Sequence, residues 1–263
     1  MTGRLRLVSF NIRYGGTDRE QALAATIRAA APDVVVLQEA TKPEVVERLA
    51  AGSGLSHWGC RRGHSLAFLS RDPVERALWH RPRFSRHAFL ELVPAGGVWR
   101  LFGVHLSAVH AAWTERRRLF ELRSLLDAIA AQQHGPHALV GDFNTVAPGE
   151  LFDFRNLPER LRALVWLSGG RVRWRTIQAV LDSGYRDAFR HLHPDRVGYT
   201  FPSWNPHVRL DYLFVPESLL PAVTSCDVVE HPELREASDH LPIVGELALP
   251  GDATTRVQST RSR

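Results

Sequence analysis

Short apolar runs that stop at a polar or acidic residue constrain this chain more than any other feature. Ala138-Leu139-Val140 leads into Gly141-Asp142-Phe143-Asn144, and Leu101-Phe102-Gly103-Val104 leads into His105. Runs of that length suit strands, and a polar residue closing one emerges at the rim of a sheet. Asp142 and Asn144 stand at i and i+2, so at a strand end both side chains aim the same way, as a paired base and orienter. In Ser238-Asp239-His240-Leu241-Pro242 the two chemically capable residues are adjacent. A regular strand would send them to opposite faces, so the segment reads as a turn or strand lead-in, as Pro242 suggests, able to aim both at one ligand.

Strand and helix signals alternate. Residues 4–11 alternate polar and apolar like a half-buried strand, and Asp18 precedes a helical pattern that runs to Ala31 and stops at Pro32. Val34-Val35-Val36-Leu37 is a continuous apolar run, as expected of a strand buried on both faces. Thr41 followed by Glu44, with Pro43 in the first turn, predicts a capping box opening a helix to Ala51. Further strands are expected at 65–70, 89–93, 100–105, 138–141, 209–215, 225–229 and 243–249. A longer helix should run from Thr114 toward Gln133 with Leu119, Leu122, Leu125, Leu126 and Ile129 on one stripe. Between 148 and 184 helical patterns at 159–167 and 174–181 flank Gly169-Gly170, and the region reads as an excursion from the sheet. Its Trp166, Leu167, Arg171, Arg173 and Arg175 could wall a groove for an anionic ligand or form the core of a helical insertion. Residues 1–250 are expected to form one domain and 251–263 a disordered tail.

At 263 residues and 44% hydrophobic content the chain can bury a sizeable core. Its net charge of +5 invites an anionic partner such as nucleic acid. The invitation is diluted, because Lys42 is the lone lysine and three of the arginines lie in the tail. Cys60 and Cys226 show neither metal-ligand spacing nor a disulfide framework and are expected to be buried free thiols. No secretory leader pattern precedes Arg4, and no stretch offers the ~20 apolar residues needed to span a bilayer. A cytoplasmic, soluble monomer is the expectation.

Glu39, Asp142, Asp211 and Asp239 all fall at strand ends or turns. If they converge, their like charges raise one another's pKa unless a cation sits among them. A hard divalent ion such as Mg2+ suits carboxylates joined by an amide such as Asn11. Taken singly, each residue has a plainer reading: Glu39 as a helix cap, Asp142 as a turn closure, Asn11 as a strand end. Among the 13 histidines, His105 ends a strand and His240 adjoins a carboxylate, whereas His57, His64, His80, His137 and His193 read as surface or satisfied core residues. Arg209 and Asp211 share a face by alternation, which would let Asp211 pair with His240.

Six motifs in order, Ser9-Phe10-Asn11, Leu37-Gln38-Glu39, Val104-His105-Leu106, Gly141-Asp142-Phe143-Asn144, Arg209-Leu210-Asp211-Tyr212 and Ser238-Asp239-His240-Leu241-Pro242, resemble those of the endonuclease/exonuclease/phosphatase superfamily. The resemblance implies the DNase I-like fold, an α/β four-layer α/β/β/α sandwich with two mainly antiparallel sheets. It makes Glu39 the principal metal ligand, with Asn11 and Asp239 beside it. Asp142 would orient or deprotonate the attacking water, and Asn144 would hold the phosphoryl group. His240, held by Asp211, would stabilise charge on the non-bridging oxygens, and His105 would stabilise the phosphate or assist the leaving group. Apurinic endonucleases of the superfamily carry an Asp where this chain has Arg13 and a Tyr where it has His105, which argues against abasic-site repair. Tyr199-Thr200-Phe201 and Trp204 nevertheless resemble the corresponding stretch of those enzymes.

The implied activity is hydrolysis of a phosphodiester or phosphomonoester by metal-activated water, with Mg2+ or alternatively Mn2+. DNA or RNA is the favoured substrate, through the charge, the arginine supply and Trp204, which could stack on a base. Trp204, Arg209 and Arg118 are the substrate-binding candidates, with a solvated helix face as the alternative for Arg118. A phospholipid or inositol phosphate is the competing substrate class, because sphingomyelinase-like and inositol-phosphatase-like members carry a His at the place of His105. A non-catalytic binding module on the same scaffold is the third reading.

Overall fold

A computed structural model describes residues 3–82, 85–108, 112–132, 135–150, 174–230 and 234–248. The helical pattern at 159–167, Trp166, Leu167, Arg171, Arg173 and the tail fall outside these residues. Strands β1 (Arg4–Asn11), β2 (Val34–Gln38), β3 (His57–Cys60), β4 (Ala67–Ser70), β11 (Val223–Val228) and β12 (Ile243–Ala248) form one sheet in the order β11-β12-β1-β2-β4-β3. Strands β5 (Val74–His80), β6 (Phe89–Pro94), β7 (Arg100–His105), β8 (His137–Asp142), β9 (Tyr185–Asp187) and β10 (Asp211–Pro216) form the second in the order β5-β6-β7-β8-β10-β9. Each sheet has one parallel pair, β1 with β2 and β7 with β8, and is otherwise antiparallel.

Period-2 alternation assigns the layers. Leu7, Val34, Val36, Leu101, Ala138, Val140, Leu213 and Val215 turn inward and meet in the core between the sheets. Val8, Phe10, Val35 and Leu37 turn outward beneath helices α1 (Glu20–Ala30) and α2 (Pro43–Ser53). On the opposite outer face Phe102, Val104, Leu139, Tyr212 and Phe214 pack against Leu122, Leu125, Leu126 and Ile129 of α3 (Ala112–Gln132) and Ile177 and Val180 of α4 (Arg175–Asp182). The four-layer sandwich is thus present. Two short helices, α5 (Ala188–Leu192) and α6 (Leu234–Ala237), complete the assigned α elements.

Local details depart from the sequence expectations. The capping box at Thr41 and Glu44 does not form: Lys42 is the N-cap residue, no side chain caps the helix, and Pro43 starts it. Lys42 Nζ instead donates to Thr17 Oγ1 at 2.6 Å. The helix continues past Ala51 to Ser53, where Gly54 at φ = 76° closes it. The first helix starts at Glu20, behind a 3-10 turn over Tyr14–Gly16. Both cysteines are free, Cys226 buried and Cys60 half-buried.

Candidate active site

Strand register gathers the polar strand ends. His105 of β7 and Asp211 of β10 each stand opposite Asp142 of β8, one on either side. Gly141 permits this approach: at φ = 146° a Cβ there would lie 1.9 Å from the Val104 carbonyl oxygen, so any side chain would force β7 and β8 apart. In the first sheet Asn11 pairs with Gln38, the residue before Glu39. Asn11 Nδ2 donates to Asp142 Oδ2 at 3.1 Å and to Glu39 Oε1 at 3.3 Å, so it joins the two sheets where their shared core gives way to polar groups.

The 238–240 turn adds the remaining groups. Ser238 Oγ donates to the Asn11 carbonyl at 2.6 Å, and Ser203 N donates to the Asp239 carbonyl at 2.8 Å. His240 Nδ1 lies 2.8 Å from Asp211 Oδ2, and its Nε2 lies 3.9 Å from Asp142 Oδ2. The Phe201 ring packs on His240 with centroids 5.0 Å apart. Asn144 meets Asp142 through a turn rather than by strand alternation, because β8 ends at Asp142 and Asn144 adopts φ = 52°. Its N and Nδ2 donate to the two Asp142 oxygens at 2.8 and 2.9 Å, and Nδ2 also donates to the Leu106 carbonyl at 3.0 Å.

Burial and charge hold the titratable groups in different states. Burial raises the Asp142 carboxyl to about 7; the His240 cation opposes this, while Asp211 adds to it. Burial works against protonating His240, but Asp211 and then Asp142 outweigh it and lift the imidazole to about 10. Burial, with the nearby His87 and His240, drives His105 down to about 3. One histidine is therefore held cationic and the other neutral. His105 Nδ1 is buried without a hydrogen-bond partner, and the His87 ring packs against that ring at 5.0 Å, tilted by 50°.

Two groupings could hold a cation. Atoms of Asp142, Asp211 and His240 lie within 4.8 Å of one another, but their hydrogen bonds are already committed, and a cation between them would break the Asp211–His240 pair. The predicted set of Glu39, Asn11 and Asp239 offers hard oxygen donors at a less enclosed corner, as Mg2+ prefers. Arg13 Nε lies 3.4 Å from Asp239 Oδ2, and Glu39 Oε2 accepts from Tyr14 N at 2.6 Å, so both carboxylates face the same loop. The donor chemistry fits a hard divalent ion at this second corner.

The other predicted residues lie at varied distances from this cluster. Trp204 is exposed, with the Arg13 guanidinium 5.9 Å from its ring. Arg118 is buried rather than on a solvated face: Nη2 bonds Glu115 at 2.9 Å and Nη1 donates to the Ser107 carbonyl at 2.8 Å. Arg209 is buried outside the cluster, with Nη2 2.6 Å from Glu150 Oε1 and 2.5 Å from Asp187 Oδ2, and its guanidinium 4.5 Å from the Tyr212 ring. It does not share a strand face with Asp211, because β10 begins only at Asp211. Sequence reasoning missed His87, Tyr14 and any site role for Arg13. His87 has no sequence signal, whereas the other two directly follow the Asn11 motif.

The Endonuclease/Exonuclease/phosphatase family model matches residues 8–240. Solved structures with the same fold include a 3′-5′ exonuclease (NExo) from Neisseria meningitidis, 20% identical, TM-score 0.68, covering 93% of this chain and 100% of that one. An AP endonuclease from Archaeoglobus fulgidus is 18% identical with TM-score 0.70, covering 92% of this chain and 98% of that one. Recombination repair protein 1 of Drosophila melanogaster is 44% identical over 75 residues, which amount to 24% of this chain and only 10% of that protein's length. With its six motifs gathered at one rim of a DNase I-like sandwich, the chain belongs to the endonuclease/exonuclease/phosphatase family of phosphoester hydrolases.

Proposed function

We infer that the chain hydrolyses phosphodiester bonds in nucleic acid, assisted by Mg2+. The observation that carries this reading is the meeting of Asn11, His105, Asp142, Asn144, Asp211 and His240 at one rim, with Asn11 joining the two sheets. A divalent cation held by Glu39, Asn11 and Asp239 would supply Lewis-acid neutralisation of charge developing on phosphoryl oxygens. Asp142, with a carboxyl raised to about 7, accepts the proton of the attacking water near neutral pH. Asn144 steers that carboxylate with two donors, its backbone N–H and Nδ2. His240, kept cationic by Asp211, faces the negative charge that in-line attack places on the non-bridging oxygens. His105, kept neutral, donates a hydrogen bond to phosphate without adding charge.

The net charge of +5 supports a polyanionic substrate. A structural relative, the 3′ phosphatase NExo from Neisseria, was solved bound to product DNA hairpin; it is 20% identical, TM-score 0.67, covering 92% of this chain and 99% of that one. Among the described residues no helix is long and apolar enough to cross a membrane. The test is a substrate panel with Mg2+ and with Mn2+: plasmid DNA, single-stranded RNA, a phosphocholine lipid and inositol phosphates. Turnover of DNA or RNA at least ~10-fold above the other classes is expected. Preference for the lipid or inositol phosphate would reverse the substrate assignment.

A further inference from the structure

The chain leaves the metal corner through a turn whose backbone is costly. Arg13 at φ = 52° and Tyr14 at φ = 48° are both left-handed, a conformation that non-glycine residues adopt only when their surroundings compel it. Here the site compels it. Arg13 N donates to Asn11 Oδ1 at 2.9 Å, Tyr14 N donates to Glu39 Oε2 at 2.6 Å, and the Arg19 guanidinium bonds the Ile12 carbonyl at 3.0 Å and the Arg13 carbonyl. The turn presents a Tyr14 ring that is 77% exposed and so contributes little to the core. Trp204, 50% exposed, follows Ser203, which is tied to the 238–240 turn through Asp239 and Ser238. One guanidinium lies near both rings: Arg13 is 5.3 Å from Tyr14 and 5.9 Å from Trp204, while its Nε is 3.4 Å from Asp239.

We propose that Tyr14, Arg13 and Trp204 form a stacking clamp for an unpaired nucleobase whose own phosphate lies at the Asp142–His240 rim. The proposal rests on the nucleic-acid reading of the site and narrows it to single-stranded or frayed ends, because bases within a duplex are already stacked. Flat base faces stack on tyrosine, tryptophan and the guanidinium plane without sequence preference. Arg13 decides against the other ligand that aromatic walls attract: a choline headgroup is cationic, and a guanidinium 5.3 and 5.9 Å from the two rings repels it. The Asn11 and Glu39 hydrogen bonds fix the clamp relative to the phosphoryl site, so base binding and phosphate placement are one geometric event.

The experiment compares the whole protein with Tyr14→Ala, Trp204→Ala, Tyr14→Phe and Trp204→Phe on a single-stranded DNA 20-mer and its blunt duplex, in Mg2+. The alanine variants should raise KM for the single strand by about 10-fold or more with kcat nearly kept. The phenylalanine variants should recover most of the loss, since a ring remains, and the duplex KM should move less. Wild-type KM in the alanine variants, or phenylalanine variants as impaired as alanine ones, would overturn the clamp while leaving the nucleic-acid reading intact. A wild-type protein that cleaves neither strand form would overturn that reading and the clamp with it.

Discussion

Replacing Arg209 with methionine separates a substrate-binding arginine from one that holds the fold. Methionine preserves much of the apolar stem over the Tyr212 ring and removes the cation. Two carboxylates then lose a partner, Glu150 at 2.6 Å and Asp187 at 2.5 Å, with side chains only 7% and 9% exposed. Removing one member of a buried ion pair costs about 3–5 kcal/mol, because the partner charge stays buried. Glu150 keeps Arg190, whose Nη2 lies 2.8 Å from the same oxygen, so the lower half of that range applies and Asp187 bears most of the loss. At roughly 2–4 °C per kcal/mol for a domain of this size, Tm should fall by about 6–16 °C. Circular-dichroism melts measure this, and a second Asp187→Asn substitution should return part of it by removing the stranded charge. KM for DNA at a temperature where both proteins are folded should stay close to wild type. A Tm within about 2 °C of wild type together with a KM raised 10-fold would refute the argument and return Arg209 to the substrate.

Asp211→Asn should release His240. The folded pKa of His240 is lifted from 6.5 to about 10, so its stabilising contribution is fully present below about pH 6.5 and is lost as pH rises through about 10. In the variant the imidazole signal in proton NMR should titrate, and that stability should disappear, well below pH 10; an unchanged midpoint would mean Asp211 does not hold the ring. Glu39→Gln should weaken the dependence on added Mg2+ and lower turnover by at least ~10–100-fold. Full activity of that variant after chelation and Mg2+ repletion would remove Glu39 from the metal corner.

Strand ends were the legible part of the site. Asn11, Asp142 and Asp211 occupy inward positions that period-2 alternation assigns directly, and His105 ends its strand as its apolar run suggests. Of the four edge strands among the described residues, only β11 was legible. His57–Cys60 carries no alternation, Val74–His80 is broken by a register shift between Val74 and Arg76, and Tyr185–Asp187 spans three residues. The burial of Arg209 was not legible because its partners, Glu150 and Asp187, lie far from it in sequence and carry no motif. His87 stayed hidden for the same reason: only the fold brings its ring to His105. The left-handed turn at Arg13 and Tyr14 is likewise set by hydrogen bonds to Asn11 and Glu39, contacts that no local propensity encodes.

Above all, the Asp142 cluster should hydrolyse phosphodiesters only with a divalent ion present. Single-turnover cleavage of a labelled DNA oligonucleotide tests it most directly, with metal-stripped protein, with Mg2+ restored, and with Asp142→Asn in Mg2+. Cleavage should be absent after stripping, return with Mg2+, and fall by roughly 100-fold or more in the variant, the scale of loss for a positioned base. Cleavage that persists without metal, or at wild-type rate in Asp142→Asn, would contradict the account.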